Sequence, residues 1–286
     1  MKTISSRANP SFKSTLKLTT RKGREANNAF LAEGDILINE AIKSGTAIHM
    51  VFLRDDGSLT DEQLAGLLPA GLPAGAEVLL LPAPMYGELA DTVTPQPLIA
   101  VLEKPPLAPL SPLAITEAAR RRRGLVPSDP PPGNISVIVL DRLRDPGNAG
   151  TILRTADAAG FDMVITVKGT TDLYAPKVCR AAAGSVLRVP ILSAGSAAEA
   201  AAALGEAGVK LVALDMAGTT CWDADITGDI ALVVGNEGEG LQDDFASAAV
   251  LAVSIPMTQA VESLNAGVAA SVVIYEKMRQ DRRRHI

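Results

Sequence analysis

Between Ile135 and the C-terminus, five apolar runs of strand length follow one another: "ISVIVL", "DMVITV", "VKLVALD", "IALVVG" and "VLAVSI". Such runs are apolar at nearly every position rather than at alternate ones. That pattern suits strands buried on both faces, as in a parallel sheet covered by helices. β-Branched residues dominate several of the runs, and helical patterns separate them at 149–159, 196–207 and 263–280. No repeat of solenoid period interrupts the alternation. The predicted fold class is therefore α/β, with a doubly wound parallel sheet. A composition of 47% hydrophobic but only 3% aromatic residues fits a core built from Ala, Val, Leu and Ile.

A chain of 286 residues is long for one domain and short for three. Ahead of the sheet pattern, "GREANNAFLAEGDILINEAIKSG" carries a helical stretch closing at Gly45, and "AIHMVFL" and "AEVLLLP" have strand character. We expect a small α/β domain over 1–103, a proline-rich interdomain linker or partly ordered crossover over 104–134, and the sheet domain over 135–286. Net charge is -5, yet residues 1–24 hold seven basic residues and no acid, and further basic clusters stand at Arg120 to Arg123 and at Arg279 with Arg282 to Arg284. Basic islands on an acidic chain fit a polyanion bound locally, or simply solvated termini and a linker. Cys179 and Cys221 are close neither to each other nor to His49 and His285, so neither a zinc site nor a disulfide framework is expected. No run has the length of a membrane span or of a signal peptide core, and the expected location is the cytoplasm.

In open α/β sheets ligands bind beyond the carboxyl ends of the strands, so the loops there are where chemistry is sought. The first, "DRLRDPGNAG", has a turn at Pro146 and Gly147 and a helix N-cap candidate in Asn148. Helical spacing turns Ile152, Leu153, Ala156 and Ala159 toward the core and leaves Arg154 on a flank with Asp157, as a functional side chain or as half of a surface ion pair. This loop lacks the lysine of a phosphate-binding loop and the spacing of a dinucleotide fingerprint, which weakens a nucleotide-dependent oxidoreductase or triphosphatase reading. The second, "LVVGNEGEGL", lets a ligand approach its glycines, while its two carboxylates suit a neutral or cationic one better than a pyrophosphate. The third, "SIPMTQAVESLNAGVAASVVIYE", has Ser263 as a helix cap candidate. Its small residues Ala266, Gly267, Ala269 and Ala270 invite close packing of another backbone.

Taken together and in this order, "NAGTILRTA", "VVGNEGEG" and "IPMTQAVESLN" resemble the three signature motifs of the SpoU (TrmH-like) RNA ribose 2'-O-methyltransferases of the SPOUT superfamily. The stretch "SRANPSFKSTLKLTTRKGREANNAFLAEG" resembles that family's N-terminal substrate-binding domain, itself similar to a small ribosomal protein. The resemblance implies a parallel-sheet domain with a C-terminal trefoil knot, a homodimer, and S-adenosylmethionine as cofactor with no metal. It implies an RNA substrate, more like 23S ribosomal RNA than transfer RNA, and some such members confer antibiotic resistance. Arg154, Asn148, Glu237, Ser263 and Asn265 match positions tied to catalysis. Leu214, Gly235, Asn236, Gly238, Ile255, Met257, Leu264 and Asn265 match the cofactor site, with "TQAV" its most individual part. Arg7, Asn9, Lys13, Arg21, Lys22 and Arg24 are the expected RNA contacts. Arg154 then meets RNA phosphate and the target ribose, and Glu237 is expected to hold it by an ion pair. The alternatives are a transfer RNA methyltransferase and a non-catalytic RNA-binding or ribosome-binding protein.

Overall fold

The computed structural model describes residues 1–58, 60–105, 108–258 and 263–284; Gln259, Ala260 and Val261 of the individual stretch, and His285, lie outside them. In chain order the first part carries β1 (Lys2–Thr3), α1 (Pro10–Lys17), α2 (Arg21–Asn27), β2 (Ala29–Glu33), α3 (Asp35–Ser44), β3 (Ile48–Asp55), α4 (Asp61–Gly66), β4 (Glu77–Pro82), α5 (Ala83–Leu89) and β5 (Leu98–Glu103). There follow β6 (Ala108–Pro109), α6 (Pro112–Arg122), β7 (Ser136–Leu140), α7 (Pro146–Ala158), β8 (Met163–Val167), α8 (Pro176–Ala182), α9 (Ser185–Arg188), β9 (Ile191–Ala194) and α10 (Ala197–Glu206). The last elements are β10 (Lys210–Thr220), β11 (Ile230–Val234), α11 (Asp243–Ala248), β12 (Leu251–Ser254) and α12 (Ala266–Arg284).

Two compact units result. One is Met1–Pro106 with Asp172–Leu187; the other is Leu107–Thr171 with Arg188–Ile286. The first holds a mixed sheet in the order β1-β4-β3-β5-β2, in which β5 runs antiparallel to both its neighbours. Its core gathers Phe12, Phe52, Leu81, Tyr86 and Ile99. The helix predicted to close at Gly45 does so, with Gly45 at φ 68, but "AFLAE" within the same stretch is strand β2. Residues 172–187 come from the later half of the sequence yet belong to this unit. Asp172 accepts from buried Arg24 at 2.7 Å, and the Tyr174 ring packs on Phe30.

The second unit holds an all-parallel sheet in the order β12-β10-β11-β7-β8-β9-β6. β7 and β11 are neighbours at the centre: from β7 the chain winds outward through β8 and β9, while β10 and β12 lie on the other side. This is the point at which strand order reverses, where loops diverge and leave a crevice. Val137, Val139, Ile165, Ala231 and Val233 are buried between covering helices, as the unbroken apolar runs require.

The stretch 104–134 differs from the expected linker. β6 adds a parallel edge to β9, and α6 buries Ile115, Ala118 and Ala119 in the sheet's core. Proline is compatible with this order because Pro112 sits in the first turn of α6 and Pro109 on the sheet edge, where no N–H is needed. Three of the four arginines in the run are engaged within the unit, Arg121 being exposed. Arg120 donates to the Val126 carbonyl, Arg122 to Asp157, and Arg123 to Asp162.

Candidate active site

The loop after β7 is built around Asp145, not Asn148. The Asp145 carboxylate accepts from the Asn148 N–H at 2.7 Å and caps α7, with Pro146 in the first helical turn. Asn148 thereby lies within the first turn of the helix and is buried, and its side-chain Nδ2 donates to Glu237 Oε1 at 2.8 Å. The sequence assigned the cap to the wrong residue because both an aspartate and an asparagine flank the same Pro-Gly turn, and either caps well. On the same helix Ile152, Leu153 and Ala156 are fully buried, as the spacing predicts.

The loop after β11 closes on itself. Asn236 and Gly240 exchange two backbone hydrogen bonds of 3.0 and 2.9 Å, and Asn236 Oδ1 accepts from the N–H groups of Gly238 and Glu239. A methyl group on Gly235 would stand 2.7 Å from the Gly240 carbonyl, so only glycine permits the closure. Asn236 Nδ2 also donates to the Arg142 carbonyl, tying this turn to the loop after β7. Asp141, fully buried, anchors the far side by accepting from the Gln242 N–H at 2.7 Å. Arg142 holds a left-handed backbone, φ 53, and donates to Glu239 at 2.8 Å, while Arg144 reaches the other oxygen of Glu239 at 3.0 Å.

Two further segments complete the site. Leu214 and Thr219 both register with Val253 of β12, so residues 215–218 bulge out of β10 and carry Asp215 and Met216 forward. A Cβ on Gly218 would meet the Ala252 backbone at 2.4 Å, which is why the bulge returns at a glycine. At the other side, α12 begins later than expected: Asn265, rather than Ser263, caps it by accepting from the Val268 N–H at 3.2 Å. The small face of α12 packs on α7, with Gly267 so close that a Cβ would lie 3.2 Å from Asn148 Oδ1 and 3.1 Å from Asn265 Oδ1. Thr155 and Ser271 hydroxyls meet across the same contact at 3.0 Å.

The bulge of β10, the loop after β11, the segment after β12 and the start of α12 line a cavity of about 410 Å³. Leu214, Gly235, Asn236, Gly238, Ile255, Met257 and Leu264 from the expected cofactor set line it, as do Glu237 and Ser263. Asn265 does not, although both its chain neighbours do. Asn148 stands behind the wall, joined to it through Glu237. Arg154 is exposed, is absent from the lining, and makes no hydrogen bond or ion pair with any described residue. The ion pair expected between Arg154 and Glu237 is therefore not formed; Glu237 Oε1 accepts from Asn148 instead. Nor does Arg154 pair with Asp157, whose carboxylate is taken by Arg122 and Arg188.

The family resemblance pointed to the loop after "LVALD" without naming Asp215 or Met216, which sit in a strand that bulges rather than ends, and sequence reasoning missed the Arg142–Glu239–Arg144 bridge, whose partners lie about a hundred residues apart. The cavity has the size of a small-molecule site, with apolar Leu214, Ile255, Met257 and Leu264, exposed loop backbone, and the carboxylates of Asp215, Glu237 and Glu239. That set fits a partly apolar ligand that is neutral or positively charged, and disfavours a polyphosphate. Among the described residues no group of three or more His, Cys, Asp or Glu is placed to hold a metal ion.

In the other unit, Lys13, Lys17, Arg21 and Lys22 are exposed on α1 and α2, Arg21 pairing with Glu25 and Arg7 with Glu88. Asn9 caps α1 through Ser11 and Phe12. Arg24, expected to meet RNA, is instead buried against Asp172 and the Leu18 and Thr19 carbonyls. An amphipathic turn gave it the same sequence signature as its exposed neighbours.

Residues 136–275 match the family described as the SpoU rRNA methylase family, and residues 9–100 match the MRM3-like substrate binding domain. The chain is 30% identical to the 23S rRNA (guanosine(2553)-2'-O)-methyltransferase RlmP of Bacillus subtilis strain 168, over 96% of this chain and 98% of the relative. An uncharacterized tRNA/rRNA methyltransferase of Synechocystis is 31% identical over 97% and 93% of the two chains. Among solved structures, the AdoMet-bound rRNA methyltransferase from Sinorhizobium meliloti superposes with a TM-score of 0.75 at 30% identity, covering 100% of this chain and 98% of that one. The SpoU methyltransferase AviRb from Streptomyces viridochromogenes, in complex with AdoMet, gives 0.78 at 27% identity over 95% and 98%.

Proposed function

The chain belongs to the SpoU rRNA methylase family, and on that premise we propose that it methylates a ribose 2'-hydroxyl of 23S ribosomal RNA with S-adenosylmethionine as donor. The observation that carries this reading is the convergence of segments from β10, β11 and β12, with the start of α12, on one cavity with apolar side chains and acidic charged groups, to which the loop after β7 is joined through Asn148 and Glu237. S-Adenosylmethionine, when bound, supplies an electrophilic methyl on a positively charged sulfur.

In this reading Leu214, Ile255 and Leu264 hold the adenine and ribose, and the backbone around Gly235 approaches closely because nothing projects there. Glu237 and Asp215 favour the cationic end of the donor. Bound there, the donor would supply its methyl to the ribose 2'-oxygen and would be left as a neutral thioether, the hydroxyl proton passing to an RNA phosphate or water. Arg154 grips phosphate and the developing alkoxide; as a guanidinium it stays protonated and is no general base. Water exclusion and fixed geometry matter because charge is annihilated as the methyl moves.

Two further elements of the reading are a trefoil knot at the C-terminal segment and a homodimer with its sites near the subunit boundary. Arg154 is missing from the cavity walls of its own chain, which supports its meeting a partner's cofactor. Exposed Val268 and Tyr275, seven residues apart on α12, offer an apolar stripe for that boundary. The exposed Lys13, Lys17 and Lys22 take RNA phosphates. The test is transfer of labelled methyl to ribosomal RNA, followed by mapping of ribose methylation in cells with and without the gene. Absence of any 23S site dependent on the gene would overturn the reading, and methylation of transfer RNA instead would transfer it to the alternative substrate. Growth of the same cells on ribosome-directed antibiotics reads out resistance.

A further inference from the structure

Asp157 lies three residues after Arg154 on α7, the spacing at which an arginine and an aspartate on one helix meet. Its carboxylate, only 9% exposed, is engaged on both oxygens: Arg122 Nη2 donates to Oδ1 at 2.6 Å, and Arg188 Nε and Nη2 approach Oδ2 at 2.7 and 2.6 Å. Arg122 also donates to the Asp157 carbonyl at 3.2 Å and the Phe161 carbonyl at 3.4 Å, so a cation from α6 closes the C-terminal end of α7. One cation comes from the end of α6 and the other from the segment just before β9.

We propose that Arg122 and Arg188 are positioning residues that withhold Asp157 from Arg154, leaving the Arg154 guanidinium open for the RNA. The inference rests on the reading that Arg154 serves methyl transfer. With either clamp removed, one carboxylate oxygen becomes available within the helix, and an intrahelical pair forms in competition with RNA. A pair of ordinary strength leaves Arg154 unpaired about a third of the time.

The experiment is single-turnover methyl transfer at saturating RNA and S-adenosylmethionine, with cofactor affinity by calorimetry and folding by thermal melting. Arg188→Gln and Arg122→Gln are each expected to slow transfer about threefold with cofactor affinity unchanged. Adding Asp157→Asn to either variant is expected to restore the parent rate, since the competing charge is gone. A purely structural role for the cluster gives no such rescue, because Asp157→Asn then removes one more contact. A double variant no faster than its single variant overturns the proposal, as do two single variants that fold and transfer at the parent rate. If one arginine variant fails to fold, the other carries the comparison; if both fail and Asp157→Asn does not restore folding with activity, the proposal is overturned. Arg154→Ala separates the two readings: normal transfer there removes the role of Arg154 itself, whereas slow transfer there without rescue elsewhere removes only the clamp.

Discussion

Asn148 donates its buried side-chain amide to Glu237 across 2.8 Å, joining the first turn of α7 to the glycine loop after β11. One hydrogen bond thus ties together two motifs that are 89 residues apart in the sequence. Glu237 lines the cavity, whereas Arg154 does not.

Glu237→Ala leaves the Asn148 amide without its acceptor and is expected to lower stability by about 1–3 kcal/mol, together with loss of methyl transfer. Glu237→Gln keeps an acceptor oxygen, so its Tm is expected to stay near the parent while its affinity for the cationic cofactor falls. Thermal melting and calorimetry on the two variants check this. Equal destabilisation by both would remove the hydrogen bond from the account.

Two glycines of the same loop, Gly235 and Gly238, are expected to differ sharply. Gly235→Ala puts a methyl 2.7 Å from the Gly240 backbone and is expected to weaken S-adenosylmethionine binding about 10- to 100-fold, matching an overpacking cost of about 1–3 kcal/mol. At Gly238 the nearest atom to a new methyl is 3.7 Å away, so Gly238→Ala is expected to bind nearly as the parent does. Calorimetric affinities of the pair give the ratio.

Neighbouring basic residues on α2 are expected to fail in different ways. Arg24→Ala strands the Asp172 carboxylate and is expected to cost about 3 kcal/mol or more of stability. Lys22→Ala is expected to leave Tm unchanged, weaken RNA binding, and lower the slope of log affinity against log salt by about one. Melting curves and RNA titrations at two salt concentrations distinguish them.

Acid is expected to loosen the C-terminal helix. Hydrogen bonds from Arg279 hold the Glu276 carboxyl below its usual range, Gln280 adding to them against the opposing cost of burial. A carboxylate whose pKa is depressed on folding contributes stability that is present above its unfolded pKa, about 4.3, and is lost as pH falls through the folded value. Glu276→Gln is therefore expected to flatten the fall in Tm below about pH 5. A parent and variant with parallel acid branches would contradict the coupling.

Local sequence was sufficient wherever one element's own pattern decided the matter. Five unbroken apolar runs specified five strands of a parallel sheet, because strands covered on both faces admit few polar side chains. The glycine at 235 and the small face of α12 were visible as residue types because only small side chains permit such close approach. The edge strand β6 and helix α6 were hidden by prolines that sit where an N–H is dispensable. The choice of cap at Asp145 and at Asn265 was hidden because several good capping residues stood side by side.

What the sequence determined by itself is the α/β class, the three motif loops, and the family to which they point, since each depends on residue type and spacing along one stretch of chain. Tertiary structure alone decided who pairs with whom: Glu237 with Asn148, Asp157 with Arg122 and Arg188, Arg24 with Asp172. A charged side chain has no directional pattern in sequence, and its partner is whichever opposite charge or hydrogen-bonding group the fold brings within about 3 Å. For Arg154 the fold supplies no such partner among the described residues, and that exposed cation is the feature the helix period by itself left undecided.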